Sequence, residues 1–125
     1  MAITEFGLKN RELREKTNVS LRTMATEIGY SAAYLSAVEI GDKLLTDELL
    51  DRVANFYRNL GRKNIEINSL FAAASRSRKS IDVSFLDGDS RHVVATFAKK
   101  LSDMDRDARE RFLKRIEASL GVGKK

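Results

Sequence analysis

LRTMATEIGYSAAYLSAVEIG, residues 21–41, is the stretch that carries the strongest structural signal in the chain. It predicts two short helices joined by a tight turn at Gly29, because glycine readily takes the left-handed conformation that ends a helix. Ala25, four residues earlier, is small enough to let the second helix cross close by. Ser31 suits the N-cap of that helix, since its hydroxyl can accept a hydrogen bond from an unpaired backbone N–H. The second helix is therefore expected over residues 32–39.

This arrangement is the layout of a helix-turn-helix, in which the second helix is presented to the major groove of DNA. The residues expected to reach the DNA from that helix are Ser31, Ala32, Ala33, Tyr34 and Ser36. Alanines can touch thymine methyl groups, and Ser36 can hydrogen-bond a base or a phosphate. For Tyr34 we favour a phosphate contact over a base contact. Because the set contains no Arg, Asn or Gln, we expect specificity to depend partly on DNA shape.

From about residue 8 to residue 61 the chain resembles the Xre (Cro/C1-type) helix-turn-helix family of bacterial and phage regulators. The resemblance rests on the combined spacing of LRE at 13–15, MA at 24–25, SAAYLSAVEIG at 31–41 and LLDRVANFY at 49–57. It implies a five-helix, lambda-repressor-like DNA-binding domain. It also implies structural rather than DNA-contacting roles for Ala25, Gly29 and Glu39. Glu39 is expected to pair with Arg14.

One departure from the family pattern concerns the start of the first helix of the motif. The family often has Gln, which contacts a phosphate, where this chain has Leu21. That contact is expected to fall instead to Arg22, Thr23 or Ser20. Lys43, which follows the second helix, is a further phosphate candidate.

The basic run SRSRKS, residues 75–80, has two interpretations. In one, Arg76 and Arg78 follow a DNA backbone, to which Arg11 would add a further contact. In the other, the run is a solvated linker, which is the commoner fate of such a segment. The net charge of +5 does not decide between them, because residues 1–60 contain eight Lys/Arg and nine Asp/Glu. DNA binding would therefore depend on how charges are arranged rather than on bulk attraction.

The pattern predicts a mainly α fold in four parts. They are a helix-turn-helix DNA-binding domain (1–75), a basic linker (76–80), a C-terminal strand-helix-helix segment (81–120) and a frayed tail (121–125). The strand is expected in IDVSFLDG, residues 81–88, which alternates apolar and polar residues and ends in Asp-Gly. A lone strand needs a partner. It either pairs with the same strand of another subunit, or the segment is an extended linker packed on the helical body.

Two amphipathic helices are predicted after the strand, over residues 90–101 and from residues 103–107 to 120. Helices of this length are marginal alone. Their apolar faces must be buried on each other, on the N-terminal domain or on another chain. We therefore interpret residues 81–120 as a segment for dimerisation or partner binding.

Enzymatic and membrane functions gain little support. The chain has no cysteine and one histidine, His92, and it lacks metal-ligand spacing, a phosphate-binding loop and a nucleophile elbow. We expect no catalysis, no metal and no cofactor. No apolar run approaches the ~18 residues of a membrane span, and MAITEFGLKN has no signal-peptide hydrophobic region, so a cytoplasmic protein is expected.

These observations lead to a functional hypothesis and an alternative. The hypothesis is a sequence-specific, autoregulating, homodimeric transcriptional repressor that binds double-stranded DNA at a palindromic operator; repression rather than activation is a family-level expectation. The alternative is an antitoxin, or a peptidase-controlled repressor, whose C-terminal segment binds a toxin or peptidase. The sequence leaves open whether residues 81–120 bind a second copy or another protein.

Overall fold

A computed structural model describes residues 2–121, and all regular structure in that range is helical. The helices are α1 Glu5–Thr17, α2 Leu21–Ile28, α3 Ala32–Glu39, α4 Asp47–Asn59, α5 Asn64–Ser77, α6 Gly88–Asp103 and α7 Arg106–Leu120. The chain divides into two compact units at the Ile81–Asp82 bond. We call them the N-terminal unit, which contains α1–α5, and the C-terminal unit, which contains α6 and α7.

The first four helices begin with hydroxyl caps, including the Ser31 cap that the sequence predicts. The side chains of Thr4, Ser20, Ser31 and Thr46 each accept a hydrogen bond from the backbone N–H three residues later. Each cap satisfies one backbone donor at a helix start. Local sequence therefore sets where these four helices begin.

The N-terminal unit encloses one hydrophobic core. α1 packs on α5 and on α3, while α2 packs on α3 and α4. The largest fully buried side chains include Phe6, Leu13, Met24, Leu35, Leu49, Tyr57, Ile67 and Leu70. On α1, Phe6, Asn10 and Leu13 are buried, whereas Leu8 is 60% exposed.

The fifth helix takes in the start of the predicted linker. It runs from Asn64 to Ser77, two residues past the predicted end of the DNA-binding domain at residue 75. Ser77 links the end of α5 to α1, because its hydroxyl accepts a 2.8 Å hydrogen bond from the backbone N–H of Phe6. Residues 76 and 77 therefore lie in the last turn of α5, and the segment without regular structure begins at Arg78.

The predicted strand over residues 81–88 is wrong: the structure has turns there and no strand among residues 2–121. The Asp82 carboxylate accepts a 2.9 Å hydrogen bond from the backbone N–H of Ser84. Asp87 caps α6, accepting a 2.7 Å bond from the N–H of Ser90. Both aspartates thus bond the backbone locally, which favours turns and helix starts over a strand. The Asp-Gly pair marks the start of a helix rather than the end of a hairpin.

The C-terminal unit consists of α6, α7 and a two-residue connection. The rings of Phe97 and Phe112 meet edge to face, with centroids 4.8 Å apart. None of the residues of these two helices, all of which the structure describes, is buried. Gly121 caps α7; the rest of the predicted frayed tail, residues 122–125, lies outside the described residues.

None of the helices in the described range is long and apolar enough to cross a lipid bilayer.

Candidate nucleic-acid interface

The turn between α2 and α3 is held by backbone hydrogen bonds and by an arginine from α4. Gly29 has a φ of +84°, the left-handed conformation predicted for it. The N–H of Tyr30 bonds the carbonyl of Ala25 at 2.9 Å. Arg52 donates a 2.9 Å hydrogen bond to the carbonyl of Ile28, and a Cβ at Gly29 would lie 2.9 Å from the same arginine nitrogen. The turn therefore needs glycine both for its conformation and for room beside Arg52.

α3 buries one side and presents the other to solvent. Leu35, Val38 and Glu39 are buried on the inner side. Ser31 and Ala33 are exposed, while Ala32, Tyr34 and Ser36 are partly exposed. The structure thus places all five predicted contact residues of α3 where a ligand can reach them.

A stacked aromatic pair fixes Tyr34 at the start of α3. Its ring lies 5.4 Å from that of Tyr30, centroid to centroid, with 13° between the planes. The guanidinium of Arg52 lies 5.4 Å from the centroid of Tyr30, in cation–π geometry. Tyr30 and Arg52 were not among the predicted site residues. The spacing of Tyr30 and Tyr34 alone did not reveal the stack, because the turn at Gly29 separates the two residues.

The C-terminal end of α3 is tied to α1 by a buried polar network around Glu39. The Glu39 carboxylate, 1% exposed, forms an ion pair with Arg14 and accepts a 2.7 Å hydrogen bond from the amide of Asn10. Arg11 lies 3.5 Å away and is half exposed. Tyr57 donates a 2.6 Å hydrogen bond to the amide oxygen of Asn10. The structure therefore places Glu39 against Arg14, where it holds α3 in position.

Burial makes the hydroxyl of Tyr57 harder to ionise within this network. Desolvation raises the pKa of Tyr57 well above its ordinary value; the nearby Arg14 opposes that rise and Glu39 adds to it. A neutral hydroxyl can go on donating to Asn10 throughout the physiological pH range. The network thus has a permanent donor on α4.

A glycine in α1 allows the close contact with the end of α3. A Cβ at Gly7 would lie 2.2 Å from the carbonyl oxygen of Glu39. The same oxygen accepts hydrogen bonds from both the backbone N–H and the hydroxyl of Thr4, at 2.9 and 2.8 Å. Sequence reasoning missed Gly7, because nothing in the local pattern of α1 shows that another helix ends against it.

Apart from Tyr34, the candidates for phosphate contact in the helix-turn-helix lie in two places. Arg22 and Thr23 are exposed in the first turn of α2, and the Ser20 hydroxyl caps that turn by accepting from the N–H of Thr23. The positive end of the α2 dipole and the Arg22 charge both favour an anion there. Lys43 is exposed in the turn after α3.

Arg76 and Arg78 are ion-paired within the N-terminal unit. Arg76 lies 2.6 Å from the carboxylate of Glu5 on α1, and Arg78 lies 2.8 Å from that of Asp47 on α4. The side chain of Arg78 is 25% exposed. Each arginine charge is therefore partly offset by an adjacent carboxylate. This placement favours their role in fastening the end of α5 over a role on a DNA backbone.

The geometry agrees with a comparison against protein families. Residues 5–61 match a family model described as a helix-turn-helix domain. The match spans α1 to the end of α4, which includes the Gly29 turn and all of α3. A helix-turn-helix domain indicates DNA binding. No curated protein and no solved structure matches the chain.

Proposed function

We propose that this protein is a sequence-specific transcription regulator that binds DNA through α3. The observation that carries the proposal is the exposed outer side of α3, held rigidly at both ends. The Gly29 turn and Arg52 hold its start, and the Glu39 network holds its end. A helix fixed in this way can present the same atoms to the major groove at each encounter.

Within that function, the contacts divide into two kinds. Ser31, Ala33 and Ser36 read base edges from the exposed side of α3. Arg22, Thr23 and Lys43 bind phosphates at the start of α2 and after α3, and Tyr34, oriented by its stack on Tyr30, does the same. The spacing of the motif residues supports the Xre (Cro/C1-type) family as the origin of this domain.

The finer hypothesis is an autoregulating homodimeric repressor that acts in the cytoplasm and has no enzymatic activity. Two copies related by a two-fold axis would read a palindrome whose half-sites are about 34 Å apart, one turn of DNA. Inserting about five base pairs between the half-sites rotates one of them to the opposite face of the duplex. We expect cooperative binding to be lost. Undiminished affinity would contradict the symmetric dimer.

A second candidate function uses the exposed apolar side chains of α6 and α7. A protein that needs a partner to cover these helices suits an antitoxin bound to a toxin. The turns over residues 81–87 also suit cleavage by a peptidase that relieves repression. In both cases the partner is another protein, which is bound instead of a second copy or as well as one.

The test is fluorescence anisotropy on the DNA upstream of the protein's own gene and on scrambled DNA, across a salt series. The variant is Ala33→Glu with Ser36→Glu. Two carboxylates facing phosphate-lined DNA should lower affinity at least about tenfold. The matched control, Ala95→Glu with Ser102→Glu, makes the same changes at exposed positions of α6 and should leave half-site affinity unchanged. Equal loss in both variants, or equal binding to both DNAs, would contradict reading by α3.

A further inference from the structure

The exposed apolar surface of the C-terminal unit requires a covering partner. Six large apolar side chains on its two helices are 37–71% exposed: Val93, Val94, Leu101, Leu113, Ile116 and Leu120. Conformational entropy opposes the ordering of each helical residue, and short helices overcome it only by packing. The contact between Phe97 and Phe112 is too small to do this for both helices. The C-terminal unit is therefore stable only when another surface covers these side chains.

An open groove lies between the two helices. Its volume is about 590 Å³, and its lining includes Val93 and Phe97 from α6, Met104 from the connection and Phe112 from α7. Lys100 is the one Lys or Arg side chain in its lining. We call this the α6–α7 groove. Its apolar floor and positively charged border fit an apolar helix face that carries acidic residues along one edge.

α7 itself presents such a face. Leu113, Ile116 and Leu120 recur at the three- and four-residue spacing that places them on one side of a helix. Glu110 and Glu117 lie three or four residues from the two leucines, so they border the same side. We call these three apolar residues the α7 stripe. Its acidic border complements Lys100 at the groove.

We propose that the α6–α7 groove of one copy receives the α7 stripe of a second copy, and the reverse, so that two C-terminal units form a four-helix assembly. A two-fold axis makes both contacts at once, because each copy carries a groove and a stripe. The proposal names the surface behind the homodimer of the proposed function and depends on that function only for the role of the dimer on DNA.

Charge and area both favour a second copy as the occupant. Residues 82–121 contain eight Lys/Arg and eight Asp/Glu, so two C-terminal units do not repel each other through net charge. Four of the six exposed apolar side chains, Val93 and the three residues of the α7 stripe, lie in the proposed contact. Together with the rest of the groove they supply a substantial part of the ~800 Å² that each partner contributes to a stable interface.

The first test is sedimentation equilibrium on the full chain without DNA. We expect the wild type to dimerise at micromolar concentration and Leu113→Glu to raise the dimer Kd at least about tenfold. Lys114→Glu, one residue along and directed away from the stripe by helix geometry, should leave the Kd within about threefold. A wild type that stays monomeric at ~100 μM would overturn the proposal. A dimer unaffected by Leu113→Glu would overturn it as well.

A charge exchange tests the pairing of groove and stripe with Lys100, which is exposed, and Glu117, which is partly exposed. Lys100→Glu and Glu117→Lys should each weaken the dimer several-fold, and the double variant should recover most of that loss. Lys99→Glu is the matched control, because its neighbour Lys100 lines the groove and Lys99 does not. Far-UV circular dichroism checks that every variant keeps its helices. A double variant no better than the single variants would overturn the assignment of groove to stripe.

DNA binding separates this proposal from the preceding one. Anisotropy on a single half-site reports the helix-turn-helix domain without requiring a dimer. A monomeric chain that still binds the half-site selectively overturns the dimer surface and leaves DNA reading intact. A dimer that follows the charge exchange but binds no DNA supports this surface and contradicts the proposed function.

Discussion

Leu13, Leu49 and Tyr57 of the N-terminal unit are fully buried, whereas in the C-terminal unit even Phe97 and Phe112 keep part of their surface exposed. Both units are helical, and side-chain caps begin α1–α4 in the first and both helices of the second. Caps and amphipathic faces are thus enough to set helices in both units, but only the first closes a core within itself. A domain that folds by itself needs the apolar faces of several elements to enclose a core, and two helices alone do not enclose one.

The largest expected effect contrasts a buried ion pair with an exposed one. Glu39→Ala leaves the Arg14 charge buried without its carboxylate and should lower the free energy of unfolding by about 3–5 kcal/mol. Glu110→Ala removes the exposed partner of Arg106 and should cost less than about 1 kcal/mol. Urea unfolding followed by circular dichroism measures both. Similar losses in the two variants would show that burial does not separate the units.

A second pair compares a crowded glycine with an open one. Gly7→Ala forces a Cβ against the carbonyl of Glu39 and should destabilise the N-terminal unit by at least about 1–3 kcal/mol. At Gly88 the nearest atom to an added Cβ is 3.9 Å away, on the Arg91 side chain. Gly88→Ala should therefore be neutral or slightly stabilising, since alanine favours helix. Thermal melts compare the two. A tolerated Gly7→Ala would mean that α1 and the end of α3 can move apart.

The aromatic pair of each unit should affect a different activity. Tyr30→Ala removes the ring on which Tyr34 stacks, and it should weaken half-site DNA binding about fivefold, because such a pair contributes roughly 1 kcal/mol. Its effect on self-association should be negligible. Phe97→Ala should do the opposite, weakening the dimer and sparing the half-site. Anisotropy and sedimentation on the same samples test the division, and a shared effect would argue that the two units are coupled.

The smallest expected effect is on the stability of the fold at low pH. A hydrogen bond from Arg62 is the main cause that lowers the pKa of Glu66 to about 2, from its usual 4.5. The unfolded chain takes up that proton first, so the Glu66 contribution to stability is present above pH 4.5 and is lost as the pH falls towards 2. Glu66→Gln should flatten the acid limb of a stability–pH curve slightly. A curve identical to the wild type would mean that Glu66 gains nothing from Arg62 in the folded state.

The helix-turn-helix could be predicted from the sequence because the residues that form it act on residues close to them in the chain. Ser31, Gly29 and Ala25 act on residues within five positions of themselves, so their spacing predicts the turn and the start of α3. The structure and the family match over residues 5–61 agree with that prediction. The same local reasoning failed at residues 81–88. Alternating apolar residues resemble a strand there, but Asp82 and Asp87 bond the backbone and no partner strand exists within residues 2–121.

The sequence by itself thus determined the starts of α2 and α3, the exposed side of α3 and the presence of two amphipathic C-terminal helices, because each depends on residues within one or two turns of one another. Only the tertiary structure decided which distant groups meet. Tyr57 reaches Asn10 across 47 positions, and Ser77 reaches Phe6 across 71. Such contacts form only where packed helices bring two backbones together, and a buried polar group must then find its partner. The spacing of apolar residues along the sequence does not show which residue that partner is.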